Sequence, residues 1–453
     1  MKYSLKYLDS PWAIHIIVAA ATVIRLGAIA VLGRRPLVGD AQLYDEFARR
    51  MLQGQSIYPL VPPGEGSYLA LCYRVFGAIP LVARACMVPL AIAFFYAFHA
   101  AAVKFAGRRS ANLAALVFAI YPLQILCSIE PITEMPAALL LMLSLLLVLS
   151  ILARPGPAGF ALLGLALGLL ILTRPSALPF IVVLPAFLLL RSRNWLGSAI
   201  AAAIPALMIA AWIGGVYHST GHFVMINFSS TQNVFLGNNP YTPLYRTWWL
   251  TTHGDNPEQL PAAYRTLNAQ ILRAPWYEQN GIYRRAALQS IVSRPDLFLL
   301  RTANRIRVYF AFDSYTGSLL LNRYRLGRKL AFAAIALDGA LFVLFAASAL
   351  LFLFTVPHDY GAFRPALIIA GMIAIYAGPY FLSVSHPIYH FPTVPLMGLL
   401  AAGLWSGLPD WQAQILARPE WPIANQSAAV GAAILFIYVQ VEYAFVMYHF
   451  SSR

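Results

Sequence analysis

Asp40, Asp45 and Glu46 stand in GDAQLYDEFARRMLQGQSIY, residues 39 to 58, directly after an apolar run in a chain that has only 17 acidic residues. A carboxylate at the mouth of a membrane cavity can act as a general base toward a hydroxyl. The same stretch has the pattern of a short amphipathic helix over 40 to 50, with Leu43, Phe47, Arg50 and Met51 on one side and Tyr44 one turn beyond Asp40. Gly-Asp before a helical run is also a common N-cap pattern, so capping and proton transfer are both open readings of Asp40.

Four further clusters carry polar chemistry. Glu65, in VPPGEGSYLALCYRVFG at 61 to 77, follows a rigid Pro-Gly turn and is either an exposed turn residue or a second site carboxylate. Glu130 and Glu134 flank IEPITEM and share a helix face if Pro131 is near the first helical position. The helix dipole alone favours glutamates there, yet two carboxylates at the start of a span are costly unless solvated or paired. Arg174, in TRPSALP, is a cation at membrane depth or at the outer surface; it needs a carboxylate or a phosphate, or it snorkels to the interface. His386, Tyr389 and His390, in SHPIYHFPTVPLM at 385 to 397, can hold a substrate, move a proton or bind metal. Pro387 and Pro392 disturb the i,i+4 histidine spacing and no third ligand is evident, so no metal site is assigned and a divalent ion is left open.

Two stretches of a long loop add binding groups. NVFLGNNPYTPLYRTWW, at 233 to 249, offers Asn238, Asn239, Tyr241, Tyr245, Trp248 and Trp249, whose amides and rings suit a sugar, although Trp and Tyr also anchor at membrane interfaces. Residues 281 to 310 read as two amphipathic helices broken at Pro295, with Arg284, Arg285, Arg301, Arg305 and Arg307 available to phosphate oxygens or to anionic membrane lipids.

The elements that must position these groups are membrane spans. Of 453 residues 60% are hydrophobic and 11% charged, against roughly 25% charged in a soluble domain. Apolar runs fall at 11 to 32, 80 to 103, 111 to 127, 133 to 153, 158 to 173, 175 to 190, 196 to 217, 329 to 355, 363 to 384, 388 to 407 and 423 to 448. That predicts an all-α polytopic membrane protein with about eleven spans in one domain covering 1 to 453. The runs at 158 to 173 and 175 to 190 are short enough to form a re-entrant hairpin instead of two crossings. The first run is too long for a signal peptide and lacks a cleavage site, so it reads as a retained span.

Short-loop positive charge at 104 to 110, Arg154 and 191 to 195 places those loops in the cytoplasm. Residues 33 to 79, 129 to 134, 218 to 328 and 385 to 390 then lie on the opposite face, and nearly every polar cluster above is among them. The net charge of +15 is scattered among apolar spans rather than gathered in one patch, which argues against nucleic acid. Cys72, Cys86 and Cys127 form no disulfide framework or zinc pattern and read as small hydrophobes.

The order of GDAQLYDEFARRMLQGQSIY, PPGEGSYLALCYRVFG, YPLQILCSIEPITEMPAALLLML with GLALGLLILTRPSALP, and YHFPTVPLMGLLAAG resembles the bacterial branch of the C-type (GT-C) glycosyltransferases, similar to protein O-mannosyltransferases and the lipid A aminoarabinose transferase. The resemblance implies a GT-C-like bundle with amphipathic helices in the first and long extracytoplasmic loops. It implies inverting transfer of a hexosyl or pentosyl group from a polyprenyl-phosphate sugar donor to a lipid, glycan or protein acceptor, outside a bacterial inner membrane. The family's first-loop acid matches Asp40 as the base, and by position Arg174 and the long-loop arginines are candidates to stabilise the phosphate. Two departures stand out: Ala41 replaces the second acid of a frequent pair, and Ile388 stands where many relatives have arginine. A transporter or flippase of lipid-linked sugars is the rival reading, against which stand the lack of an internal repeat and the clustering of polar groups at one surface. Asn227-Phe228-Ser229 would be a glycosylation sequon in a secretory pathway.

Overall fold

The computed structural model describes residues 6–55, 59–242, 244, 261–312, 314–355, 363–417 and 423–451. Its helices are α1 (Ala13–Leu32), α2 (Asp40–Leu52), α3 (Pro63–Phe76), α4 (Pro80–Ala106), α5 (Arg108–Ile120), α6 (Pro122–Cys127), α7 (Glu134–Ala153), α8 (Pro157–Thr173), α9 (Phe180–Ser192), α10 (Trp195–Thr220), α11 (Ser229–Gly237), α12 (Ala262–Arg273), α13 (Trp276–Ser293), α14 (Pro295–Tyr309), α15 (Arg328–Thr355), α16 (Phe363–Leu382), α17 (Val394–Ala417) and α18 (Ile423–Ser451). No strand occurs among the described residues. The chain is an all-α multi-pass membrane protein.

Nine helical segments among the described residues are long and apolar enough to cross a bilayer. The two predicted spans that fall short have local causes. Between α5 and α6, Pro122 removes a backbone donor and breaks the helix after Ile120. The amide of Leu123 is then rescued from another element, because the carboxylate of Asp338, fully buried within α15, accepts it at 2.7 Å. An acid inside a span is thereby explained as a cap supplied in trans. The other is α8, a 17-residue helix that ends where Pro175 follows Arg174.

Aromatic packing fills the middle of the bundle. Phe118 stacks on Phe345 at 4.5 Å and meets Phe98 edge-on at 4.9 Å, tying α4, α5 and α15 together. Because successive spans alternate in direction, the first loop, the α6–α7 and α8–α9 turns, the long loop and the α16–α17 turn all meet at one end. There α2 buries Ala41, Tyr44, Phe47 and Ala48 while Met51 is exposed, so the inward stripe runs one position away from the side predicted. Close approach of α3 depends on Gly64, where a Cβ would stand 2.4 Å from the Thr173 hydroxyl, beside Arg174.

A buried ion pair clamps the same end. Arg84 Nε donates to Glu130 Oε1 at 2.8 Å, Tyr324 donates its hydroxyl proton to the same oxygen at 2.6 Å, and Arg84 Nη1 donates to the carbonyl of Arg35 at 2.8 Å. The clamp joins the exit of α1, the start of α4, the turn before α7 and the segment leading into α15. Neither side chain of the pair is accessible beyond 3%. Removing one member strands the other without its counter-charge, which costs about 3–5 kcal/mol for a buried pair. Arg84→Met and Glu130→Leu are each expected to lower the melting temperature of detergent-solubilised protein, and the double variant to regain part of the loss; equal stability of all four proteins would show that the clamp contributes nothing.

Candidate active site

The turn that carries Arg174 lies between α8 and a short 3-10 turn at Pro175–Ala177, so the guanidinium is delivered to the bundle's polar end rather than along a helix face. Its Nη1 donates to Glu134 Oε1 and to Thr133 Oγ1, both at 2.6 Å, and its Nε donates to the Tyr380 hydroxyl at 3.1 Å. Ser176 donates to that hydroxyl at 2.8 Å, and the ring of Tyr389 lies 5.6 Å from the guanidinium carbon. Four elements are thus fixed around one cation. Its Nη2 has no hydrogen bond to a described residue.

Arg174 borders a cavity of about 910 Å³, within the range of roughly 300–1,000 Å³ of small-molecule sites. Asp40 and Tyr44 from α2, Thr133 and Glu134 at the start of α7, Ser176, Tyr380 and Tyr389 also line it. Gly39 is the N-cap of α2 and Asp40 its first residue, and no hydrogen bond from a described residue occupies the Asp40 carboxylate. Asp40 lines the cavity with an exposed surface, and protein is packed densely around it. Burial therefore raises its pKa above the ordinary carboxylate range; Glu134 pushes the same way, and Arg174 opposes both. A carboxylate on which no described residue spends a hydrogen bond, a fixed cation and hydroxyl-bearing rings on one cavity can take a proton, steady an anion and hold a polar ligand.

The structure brings together five of the sequence-predicted site residues here: Asp40, Tyr44, Glu134, Arg174 and Tyr389. Others lie elsewhere. Glu130 is not on the cavity lining; α7 begins only at Glu134, so the two glutamates do not share a helix face, and Glu130 sits in the preceding turn against Arg84. Glu65 is 1% accessible rather than exposed, and neither carboxylate oxygen has a hydrogen bond. Burial, aided by Glu134, holds its pKa well above the usual range. His386 accepts the amide proton of Ile388 at 3.3 Å, and burial lowers its pKa to about 4, so it is uncharged at neutral pH. His390 is sealed behind the cavity, its Nδ1 donating to the Tyr309 carbonyl at 2.8 Å and its ring stacked 4.2 Å from Phe342. Among the described residues no three His, Cys, Asp or Glu side chains gather as a metal-ligand set.

Asn238 and Asn239 serve the backbone. Asn238 donates to the carbonyls of Val234 and Leu382, and Asn239 to those of Phe235 and Leu236. Tyr241 packs on Tyr264 at 5.4 Å, while Tyr245, Trp248 and Trp249 lie outside the described residues. Arg305, fully buried, donates to the carbonyls of Phe381 and Gly237 at 2.6 and 2.8 Å, and Arg301 to that of Thr242 at 2.9 Å. Arg307 pairs with Glu442, and Arg284 and Arg285 are exposed.

What sequence reasoning missed is the cavity wall formed by α11 and the residues leading into it. Residues 227 to 233 read NFSSTQN, and Asn227, Ser229, Ser230, Gln232 and Asn233 all line the cavity. The signal was present as a run of neutral polar residues just beyond α10, but the sequon drew attention to its first three. In the structure Asn227 bonds both serines, at 2.5 Å each.

No family model matches the chain, and neither does any curated protein sequence. The solved structures to which it is similar include ArnT from Cupriavidus metallidurans bound to undecaprenyl phosphate, at 18% identity over 91% of this chain and 82% of that one, with a TM-score of 0.44. Another is the oligosaccharyltransferase of Archaeoglobus fulgidus in the apo form, at 16% identity over 95% of this chain and 55% of that one, with a TM-score of 0.48. The chain therefore spans little more than half the length of the archaeal protein.

The wall is held by its C-terminal end. A Cβ on Gly237 would stand 1.7 Å from the Ser383 carbonyl oxygen, a contact no rotamer relieves because both atoms are backbone-fixed. Gly237→Ala is therefore expected to lift α11 off the end of α16 and raise amide hydrogen exchange over 229 to 242 at least ten-fold, with the spans still protected; unchanged exchange there would show that α11 does not depend on this contact.

Proposed function

We propose that the protein is a membrane glycosyltransferase of the C-type that moves a sugar from a polyprenyl-phosphate donor to a hydroxyl acceptor on the extracytoplasmic side of a bacterial inner membrane. The single observation that carries this reading is Asp40, a carboxylate with no hydrogen bond from a described residue, on the same cavity as the fixed cation Arg174. The order of the sequence motifs supports it, and so does the position of both groups at the end of the bundle where the loops predicted to be extracytoplasmic meet.

In this reading the acceptor oxygen attacks the anomeric carbon and the bond from that carbon to the phosphate oxygen breaks. Polyprenyl phosphate leaves with the electron pair, and the configuration inverts. Asp40 takes the acceptor's proton. Arg174, already positioned by Glu134, Thr133 and Tyr380, turns its remaining Nη2 donor to the phosphate oxygens and steadies the charge that develops there. Tyr380 and Tyr389 hold the guanidinium in place and flank the ligand.

Asp40 acts only as the carboxylate. Because its pKa is raised, activity is lost as the pH falls through a value above the ordinary carboxylate range of about 4. Purified protein with a labelled polyprenyl-phosphate sugar and candidate acceptors is expected to transfer the label, and Asp40→Asn to lose about 10²–10⁴-fold in rate. Glu134→Gln removes a negative neighbour that raises the Asp40 pKa, so the acid limb of the pH–rate profile shifts to lower pH. Should label cross liposomes equally in wild type and Asp40→Asn with no transfer to any acceptor, the protein is a carrier and the enzyme reading fails.

A further inference from the structure

The cavity wall formed by α11 and its lead-in has side chains that neither the fold nor the proposed transfer chemistry uses. Gln232 and Asn233 are half-buried on the cavity lining, and their amides make no hydrogen bond within the described chain. A half-enclosed amide offers a donor pair and an acceptor, and leaving them unmatched is costly unless water or a ligand completes them. The helix that carries them is not a loose loop. The amides of Phe228 and Ser229 donate to the carbonyls of Pro59 and Leu60 at 2.7 and 3.3 Å, fixing its start to the first loop. Its end is fixed to α16 by Asn238 and by Arg305.

Charges are sparse among the described residues of the cavity lining. There are three, and two of them, Glu134 and Arg174, neutralise each other at 2.6 Å. Asp40 is the third, and the wall formed by α11 and its lead-in is neutral throughout. A carboxylated sugar would add a further negative charge, beyond Asp40 and the donor phosphate, to an enclosure that already raises the Asp40 pKa, and an amino sugar would set its ammonium against amides with no carboxylate among the described residues of that wall. A ring of neutral hydroxyls matches it, since each hydroxyl, like an amide, both donates and accepts.

We infer that Gln232 and Asn233 recognise the hydroxyls of the transferred sugar, and that this sugar is uncharged. The inference rests on the glycosyltransferase reading. It assigns the wall to the donor because the transferred ring must sit between the cation that faces its phosphate and the base that faces its acceptor, whereas an acceptor need insert only one oxygen.

The test compares purified wild type, Gln232→Ala and Asn233→Ala with polyprenyl-phosphate donors bearing a neutral hexose, its mono-deoxy analogues, a uronic acid and an amino sugar, and measures binding of sugar-free polyprenyl phosphate in parallel. Wild type is expected to prefer the neutral hexose at least ten-fold in kcat/KM. Each variant is expected to lose about three- to ten-fold with that donor, to lose nothing further with the deoxy donor that lacks the matching hydroxyl, and to bind sugar-free polyprenyl phosphate as wild type does. The inference is overturned if wild type prefers a charged sugar, if the variants transfer the neutral hexose as well as wild type, or if they lose sugar-free lipid equally, which would make the wall a scaffold. Transfer from no donor by wild type would instead overturn the glycosyltransferase reading itself.

Discussion

Everything at the polar end of this bundle is arranged around the need to hold one arginine where the bilayer stops. An unpaired guanidinium at such a depth is expensive, and the structure meets the cost with a carboxylate and a threonine from the start of α7 and a tyrosine hydroxyl from α16. Because these partners sit at helix ends far apart in sequence, satisfying Arg174 also draws α7, α8 and α16 into a fixed ring. A cavity is left on the side where no described residue completes the cation, and Asp40 lines that cavity.

Two glutamates four residues apart illustrate how little separates a structural acid from a reactive neighbourhood. Glu130 lies in a turn and is consumed by Arg84 and Tyr324, away from the cavity. Glu134 begins the helix, faces Arg174 and, through its charge, raises the pKa of Asp40. The difference comes from where α7 starts. Had the helix begun one turn earlier, both carboxylates would lie on one face.

The short helix α11 closes the cavity from the long loop, and its attachments explain several residues whose chemistry reads as ligand binding. Asn238 and Arg305 spend their hydrogen bonds on carbonyls of α11 and α16. Their polar groups are structural because a helix packed end-on against another leaves its last carbonyls unsatisfied, and side chains supply the donors. The groups left over for a ligand are Gln232 and Asn233, earlier in the same helix and on the cavity lining.

The amino-acid sequence alone determined that this is a helical membrane protein, where most of its spans lie and that its polar groups gather at one surface, because apolar length and charge placement are local properties that a bilayer imposes on each segment. Asp40, Glu134 and Arg174 were legible as costly groups at span ends. Which of the costly groups share a cavity was not, since hydrogen-bond partners such as Thr133 and Tyr380, 41 and 206 residues from Arg174, leave no mark on local pattern. The same holds for the broken span at Pro122, rescued by Asp338 from a helix 215 residues later, and for the polar wall at 227 to 233. Only tertiary packing decides whether a polar side chain is spent on the protein's own backbone or left facing open space.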